Sequence, residues 1–369
     1  MDALPRIFIL ILAFLPAYSQ ALDNACGIVG GSENTPERTN LLAAKSVTAA
    51  DYLTLKRYLD AGEPFIFIPA TAEIKIPNSK SSLTTQRGQV IFSDRGIKGS
   101  QGGKLVIEPN FNDSTDTYPI IEMDSHSRIS GLRIEGPVKV SNSIKQTIGI
   151  QLKVQTQNIE IDNNELFGWP WAAISIKHSQ NAYVHNNYIH KNIKHGLGYG
   201  VVVQNGNATA EVSCNIFNTN RHAIAGSGNV GEGYYAHHNL VMPGGEKGAY
   251  HQFDMHAFGR AQTGGQCILI KDNWFNYGDY GTANRSAIMI RGVPEKGAAI
   301  IRNNWFHAPP QVTATANTVQ GVPNAIPSAK ELANTNKFGV SFTFTKDGEQ
   351  CLMHIAGNQI PVLCAGVGM

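Results

Sequence analysis

Six stretches of this chain repeat one template: Ile159-Glu-Ile-Asp-Asn-Asn164-Glu-Leu-Phe167, Tyr183-Val-His-Asn-Asn187-Tyr-Ile189, Glu211-Val-Ser-Cys-Asn215-Ile-Phe217, Tyr235-Ala-His-His-Asn239-Leu-Val241, Leu269-Ile-Lys-Asp-Asn273-Trp-Phe275 and Ile300-Ile-Arg-Asn-Asn304-Trp-Phe306. Arg128-Ile-Ser-Gly131-Leu-Arg-Ile134 is a weaker copy. From Asn164 onward the Asn residues recur at 23, 28, 24, 34 and 31 positions. A short strand, a tight turn and a second strand at that period are the signature of a parallel β-solenoid with connections of unequal length. Asn suits such a turn because it tolerates left-handed backbone, and stacked amides hydrogen-bond from coil to coil. The apolar residues after each Asn are expected to form an interior ladder.

Working outward, Thr48 to Ala61 has helical spacing with Thr48 as its cap, and Phe65-Ile-Phe-Ile-Pro69 follows as a strand. A helix there would plug the open end of the core, which otherwise exposes apolar side chains and unpaired edges. Residues 311 to 335 read as loop. Val340 to Phe344 and Cys351 to Ile355 read as terminal strands covering the other end. Arg6, the apolar run Ile7 to Leu15 and the small residues up to Ala21 read as a signal peptide. The expected organisation is therefore a signal peptide at 1–21, an N-terminal segment with its capping helix at 22–62, a solenoid at 63–310 and a capping C-terminal region at 311–369. The expected location is periplasmic or secreted.

With 42% hydrophobic and 16% charged residues the chain folds; neither a disordered tail nor a coiled coil has that balance. Lys plus Arg exceeds Asp plus Glu by 30 to 28, so no global field recruits nucleic acid. No run after the leader is long enough to span a membrane. The expected protein is a monomer. Of the five cysteines, Cys351 and Cys364 are spaced to close a small loop, while the others read as buried thiols. No closely spaced ligand pair for zinc is present.

A second strand in each coil aligns as Gly149-Ile-Gln-Leu-Lys153, Ala173-Ile-Ser-Ile-Lys177, Gly200-Val-Val-Val-Gln204, Ala223-Ile-Ala-Gly-Ser227, Gln252-Phe-Asp-Met-His256 and Ala287-Ile-Met-Ile-Arg291. Strict alternation turns the second and fourth residues inward. The small first residues would then leave an open outer surface. The fifth residues, Lys153, Lys177, Gln204, Ser227, His256 and Arg291, would form a stripe of cationic and hydrogen-bonding groups suited to an anionic polymer. Asp254 and His256 share that face, with Arg291 one coil on. The neighbouring Arg would keep His256 neutral and able to take a proton, Arg291 would neutralise a carboxylate, and Asp254 would orient the imidazole or bind a substrate hydroxyl. Arg221 and His222 could add carboxylate contacts, Tyr199 or His195 could protonate a leaving oxygen, and Tyr199, Tyr250 or His222 could supply the second-step proton of a lyase or an epimerase. Trp171, like Trp169, could stack on a sugar ring. The Gly-rich run Gly226 to Gly233 reads as a flexible connection. His251 would face inward in a regular strand, against a transition-metal set of His251, Asp254 and His256. No cofactor is expected; calcium remains open, although no dense outward carboxylate cluster is visible.

The repeats resemble the right-handed, single-stranded parallel β-helix proteins of the pectate-lyase-like superfamily, an all-β class with an N-terminal capping helix. Within that class, Tyr250-x-x-Phe253-Asp254-x-His256 followed by an apolar strand ending in Arg291 resembles the β-helical mannuronan C5-epimerases. In those enzymes the catalytic strand carries Asp-Pro-His-Asp and the next coil Ile-Ser-Arg. Met255 stands here for the Pro and Ala257 for the second Asp. The resemblance implies catalytic roles for Asp254, His256 and Arg291, and a uronic-acid polysaccharide as partner, with lyase or epimerase chemistry. A glycoside hydrolase, drawing a second carboxylate from Glu232, Glu246 or Asp279, and a non-catalytic glycan binder are the alternatives.

Overall fold

The structure, a computed structural model, describes residues 26–31, 36–77, 81–107, 118–137, 147–243, 251–260, 262–276, 286–308 and 318–369. The expected signal peptide lies outside the described residues. Among the described residues, three long parallel sheets of ten, ten and nine strands wind around one core, and the chain is a right-handed parallel β-helix. The first sheet holds the strands before each Asn, such as Gln157–Asp162 and Gln180–His185. The second holds the short strands after it, such as Glu165–Phe167 and Tyr188–His190. The third holds Thr147–Leu152, Ala172–Lys177, Tyr199–Gln204, His222–Gly226, His251–Met255 and Ser286–Ile290. Pairing runs past 63–310 at both ends, from Val47–Thr48 to Lys337–Phe338.

Coil stacking follows side-chain chemistry. Ile150, Ile174, Val201, Ile224, Phe253 and Ile288 are in register and fully buried. Each such side chain contributes roughly 1.5–3 kcal/mol of burial. The expected amide ladder is present: Nδ2 of Asn164, Asn187, Asn215, Asn239, Asn273 and Asn304 donates to Oδ1 of the next Asn at 3.0–3.1 Å, ending at Asn336. The left-handed residue is not the ladder Asn but the one before it, as at Asn186 (φ 53°), Cys214 (φ 58°) and Asp272 (φ 57°). That kink turns the following amide inward, where it also caps backbone groups that the turn leaves unpaired.

Helix Tyr52–Ala61 closes the N-terminal end through Leu55 and Leu59, but Asp51, not Thr48, caps it by accepting from the Thr54 N–H at 2.9 Å. The other end is closed partly by helix Ala329–Thr335, within the segment expected to be loop, through the buried Leu332. The C-terminal strands Thr343–Asp347, Gln350–Ile355 and Asn358–Val362 do not cover that end. They form an antiparallel sheet on the side wall, over Tyr188, Ile216, Leu240 and Trp274. This corrects the interior ladder: the first apolar residue after each Asn faces outward under this cover, and the second (Leu166, Ile189, Phe217, Val241, Phe275, Phe306) faces the core. Cys351–Cys364 is a disulfide as expected; Cys26 and Cys214, read as buried thiols, form a second one, and Cys267 is free.

Candidate active site on the third sheet

The third sheet departs from strict alternation, and that departure builds the site. A β-carbon at Gly149 would lie 2.8 Å from Cε2 of Trp169, and one at Gly200 would lie 3.1 Å from the Phe217 ring. Trp169 and Phe217 are core side chains, so the small residues Gly149, Ala173, Gly200, Ala223 and Ala287 face inward, next to a second inward residue. They do not open the outer surface as expected; they make room for large core rings. The residue before each is turned out instead. Ala172, Tyr199, His222, His251 and Ser286 are in register and form an outer row. Each strand thus presents outward residues at spacings of three and then two, as in His251, Asp254 and His256.

Asp254 is fully buried at the centre of this surface. Arg291 grips it with a two-pronged contact, Nε to Oδ1 and Nη2 to Oδ2, both at 3.0 Å. His256 Nε2 lies 2.9 Å from Oδ2. Burial alone would raise this carboxyl, but the hydrogen bond from His256 and the charge of Arg291 outweigh it and hold Asp254 well below the usual carboxylate range. Arg291 and His256 are about one-third exposed, so the charge sits beneath a face that solvent reaches. With Nε2 of His256 directed at Asp254, its Nδ1 makes no further hydrogen bond among the described residues.

The outer row lies alongside. His222 donates Nδ1–H to the His251 carbonyl, which leaves Nε2 as an acceptor 3.7 Å from Asp254 Oδ2 with no hydrogen-bond partner among the described residues. Burial pushes the His222 imidazole down to about 3 and that of His251 to about 4, so both rings are neutral near pH 7. His251 Nδ1 meets Ser286 Oγ at 2.8 Å. The Tyr199 ring stacks on His222 at 5.6 Å, with Trp171 against its edge and the Arg221 guanidinium 5.9 Å from its centroid. Burial raises the Tyr199 phenol, which keeps it protonated.

The structure thus brings together Asp254, His256, Arg291, Tyr199, Arg221, His222 and Trp171. Gln204, Ser227, His256 and Arg291 follow the paired residues Val203, Gly226, Met255 and Ile290, so the expected column is in register. It is not a uniform cationic stripe. Lys153 is tied to Asp124 at 2.9 Å, Gln204 donates to Ser175 at 2.7 Å, and Lys177 lies three coils, about 14 Å, from His256. His195 stands exposed on the turn between Lys194 and Leu197. Trp169 is a core residue, not a loop platform. Glu232 is spent inside the fold: it accepts from Gly206 N–H, Ser227 Oγ and Gly228 N–H at 2.6–2.8 Å, so the Gly-rich run is a braced turn. Tyr250, Glu246 and Asp279 lie outside the described residues.

His251 and Ser286 were missed because regular alternation points them inward. Aligning one position earlier would have shown a polar and aromatic column, Tyr199, His222, His251 and Ser286, too hydrophilic for a core. The donor set does not fit calcium, since Asp254 is the one carboxylate of the cluster among the described residues and both its oxygens are engaged. A separate grouping of Glu160, Asp162 and His185 on the first sheet is bridged by Arg128, which reaches both carboxylates and fills the place of a cation.

No family model matches the sequence, and no curated protein matches it. Among solved structures, an alginate lyase from Paenibacillus sp. str. FPU-7 superposes with a TM-score of 0.51 at 14% identity, covering 79% of this chain and 95% of that one. The two share a fold. The Dettilon tailspike protein matches at a TM-score of 0.30 and 10% identity, over 84% of this chain and 67% of that one. At these identities the likeness concerns the β-helix, and the chemistry has to be read from the site.

Proposed function

We propose that this β-helix is an exported enzyme that acts on a uronic-acid polysaccharide by removing the proton at C5, as a lyase or a C5-epimerase. The observation that carries the reading is Asp254, buried between Arg291 and His256. In the proposed reaction His256 takes the proton at Nδ1 while Asp254 holds Nε2–H and stabilises the imidazolium that forms. The Arg291 N–H groups not used on Asp254 face the substrate carboxylate and stabilise the charge that develops there. Tyr199, kept protonated, returns a proton: to the leaving oxygen in a lyase, or to the opposite ring face in an epimerase. The alginate lyase neighbour supports a polysaccharide substrate on this scaffold, and two disulfides support an oxidising compartment.

Hydrolysis is the weaker reading. It requires two carboxylates in defined roles. Among the described residues, Asp254 has no oxygen to spare, and Glu232, the expected second carboxylate that is described, braces a turn.

The test is incubation of the protein with a panel of polyuronides and neutral glycans, following unsaturated product by ultraviolet absorbance, inversion at C5 by NMR and new reducing ends. His256→Ala is expected to lower turnover of the active polyuronide by about 10²–10⁴-fold. New reducing ends without unsaturation, retained in His256→Ala, would replace the reading with hydrolysis; binding without any turnover would replace it with a glycan-binding protein.

A further inference from the structure

The chain just past His256 carries groups that the proposed reaction does not use. Phe258 is 51% exposed, and Arg260 is exposed two residues further on. The backbone that carries Phe258 is hydrogen-bonded to its neighbours. Phe258 N–H donates to the Thr263 carbonyl at 2.9 Å and Thr263 N–H to the Phe258 carbonyl at 3.1 Å. Thr263 Oγ1 donates to the Gly228 carbonyl at 3.0 Å, and Gly264 N–H to the Val293 carbonyl at 3.0 Å. Phe258 is thereby tied to Thr263, and the Thr263–Gly264 backbone to the coil before it and the coil after it. An aromatic ring on a slack loop can collapse onto the wall and bury its area; this one is held out on braced backbone. Val230 (59% exposed) and Val293 (38% exposed) lie on the two flanking coils, three residues past Ser227 and two past Arg291.

The position decides the occupant. Two residues span at most about 7 Å, so Phe258 borders the surface over His256. A sugar unit of a uronate chain presents an apolar C–H face and, at its edge, a carboxylate. Phe258 offers a flat apolar face for the first, and Arg260 an exposed guanidinium for the second. We infer that Phe258 and Arg260 form a binding subsite for the uronate unit next to the one that reacts. This rests on the reading of the substrate as a uronic-acid polysaccharide, but not on the reaction.

The test uses the full chain and short acidic and neutral oligosaccharides of equal length, with binding measured by calorimetry in the His256→Ala background so that nothing is consumed. Phe258→Ala is expected to weaken binding of the acidic oligosaccharide about tenfold without moving the melting temperature, and Phe258→Trp to restore it. Arg260→Ala is expected to weaken acidic binding alone, with a reduced dependence on salt. In the active protein, KM for the polymer should rise by a similar factor in Phe258→Ala. If Phe258→Ala binds and turns over like the parent, the subsite is wrong and the reaction stands. If it loses binding while no polyuronide is turned over by the parent, the subsite stands and the reaction falls. Failure of the parent to bind any acidic oligosaccharide overturns the subsite.

Discussion

At the scale of single residues, Asp254 has the largest predictable effect on stability. Replacing it with Asn removes the charge that both Arg291 and His256 face, and a broken buried pair of this kind costs roughly 3 kcal/mol or more. Urea denaturation of Asp254→Asn should show that loss, with turnover lost as well; an unchanged midpoint would mean that Arg291 and His256 find other partners. The buried imidazoles set a second expectation. His222 and His251 titrate near 3 and 4 in the fold, against about 6.5 when unfolded, so between these values the unfolded chain binds more protons. Stability is therefore fully present above about pH 6.5 and declines as pH falls towards 4, by roughly 3 kcal/mol for each ring. Asp254, ionised in the fold, adds to the loss once pH drops below its unfolded value of about 3.9. Urea midpoints taken from pH 7.5 down to 4 test this, and a flat profile would show that the rings take up protons without cost.

At the scale of elements, the Asn ladder connects turns that are otherwise separate. Asn239 donates to the carbonyls of Val212 and His237 and to Asn273, and accepts from Asn215. Asn239→Ala leaves several of these buried groups unpaired and should cost roughly 2–4 kcal/mol. The same change at the terminal Asn336, with neighbours on one side only, should cost less. Thermal melts of the two variants compare them directly. The ladder was legible in the sequence because its spacing repeats and Asn is chemically specific. The strand register of the third sheet was legible for the same reason: Ile174, Val201 and Ile224 alternate as a period of two requires. What failed was the assumption that alternation continues to the start of each strand. Gly149 and Gly200 face inward because Trp169 and Phe217 need the space, a demand from residues 17 to 20 positions away that no local pattern displays. Regular alternation therefore points His251 to the core, whereas Asp254, His256 and Arg291 lie on the regular part of the strands and face outward as the alternation predicts.

At the scale of the whole molecule, the solenoid ends and one flank are covered by different parts of the chain. Tyr188, Ile216, Leu240 and Trp274 would form an exposed apolar stripe if the C-terminal sheet were absent. Met353, fully buried in that contact, is a sensitive point: Met353→Asp should undock the sheet and drive self-association, read by size-exclusion chromatography. The sequence suggested cover for an end, not a flank, because only the stacked structure reveals that the first apolar residue after each Asn points outward.

The Cys26–Cys214 bond has a mechanical consequence. It joins residues 188 positions apart and fastens the start of the described chain to a coil in the middle of the solenoid. Tension applied to the beginning of the chain and to its far end would pass through the sulfur atoms, bypassing every coil before residue 214. Those coils would carry no load and could not be peeled away in turn, and the extension they hold, on the order of 600 Å, would be released only by a reductant.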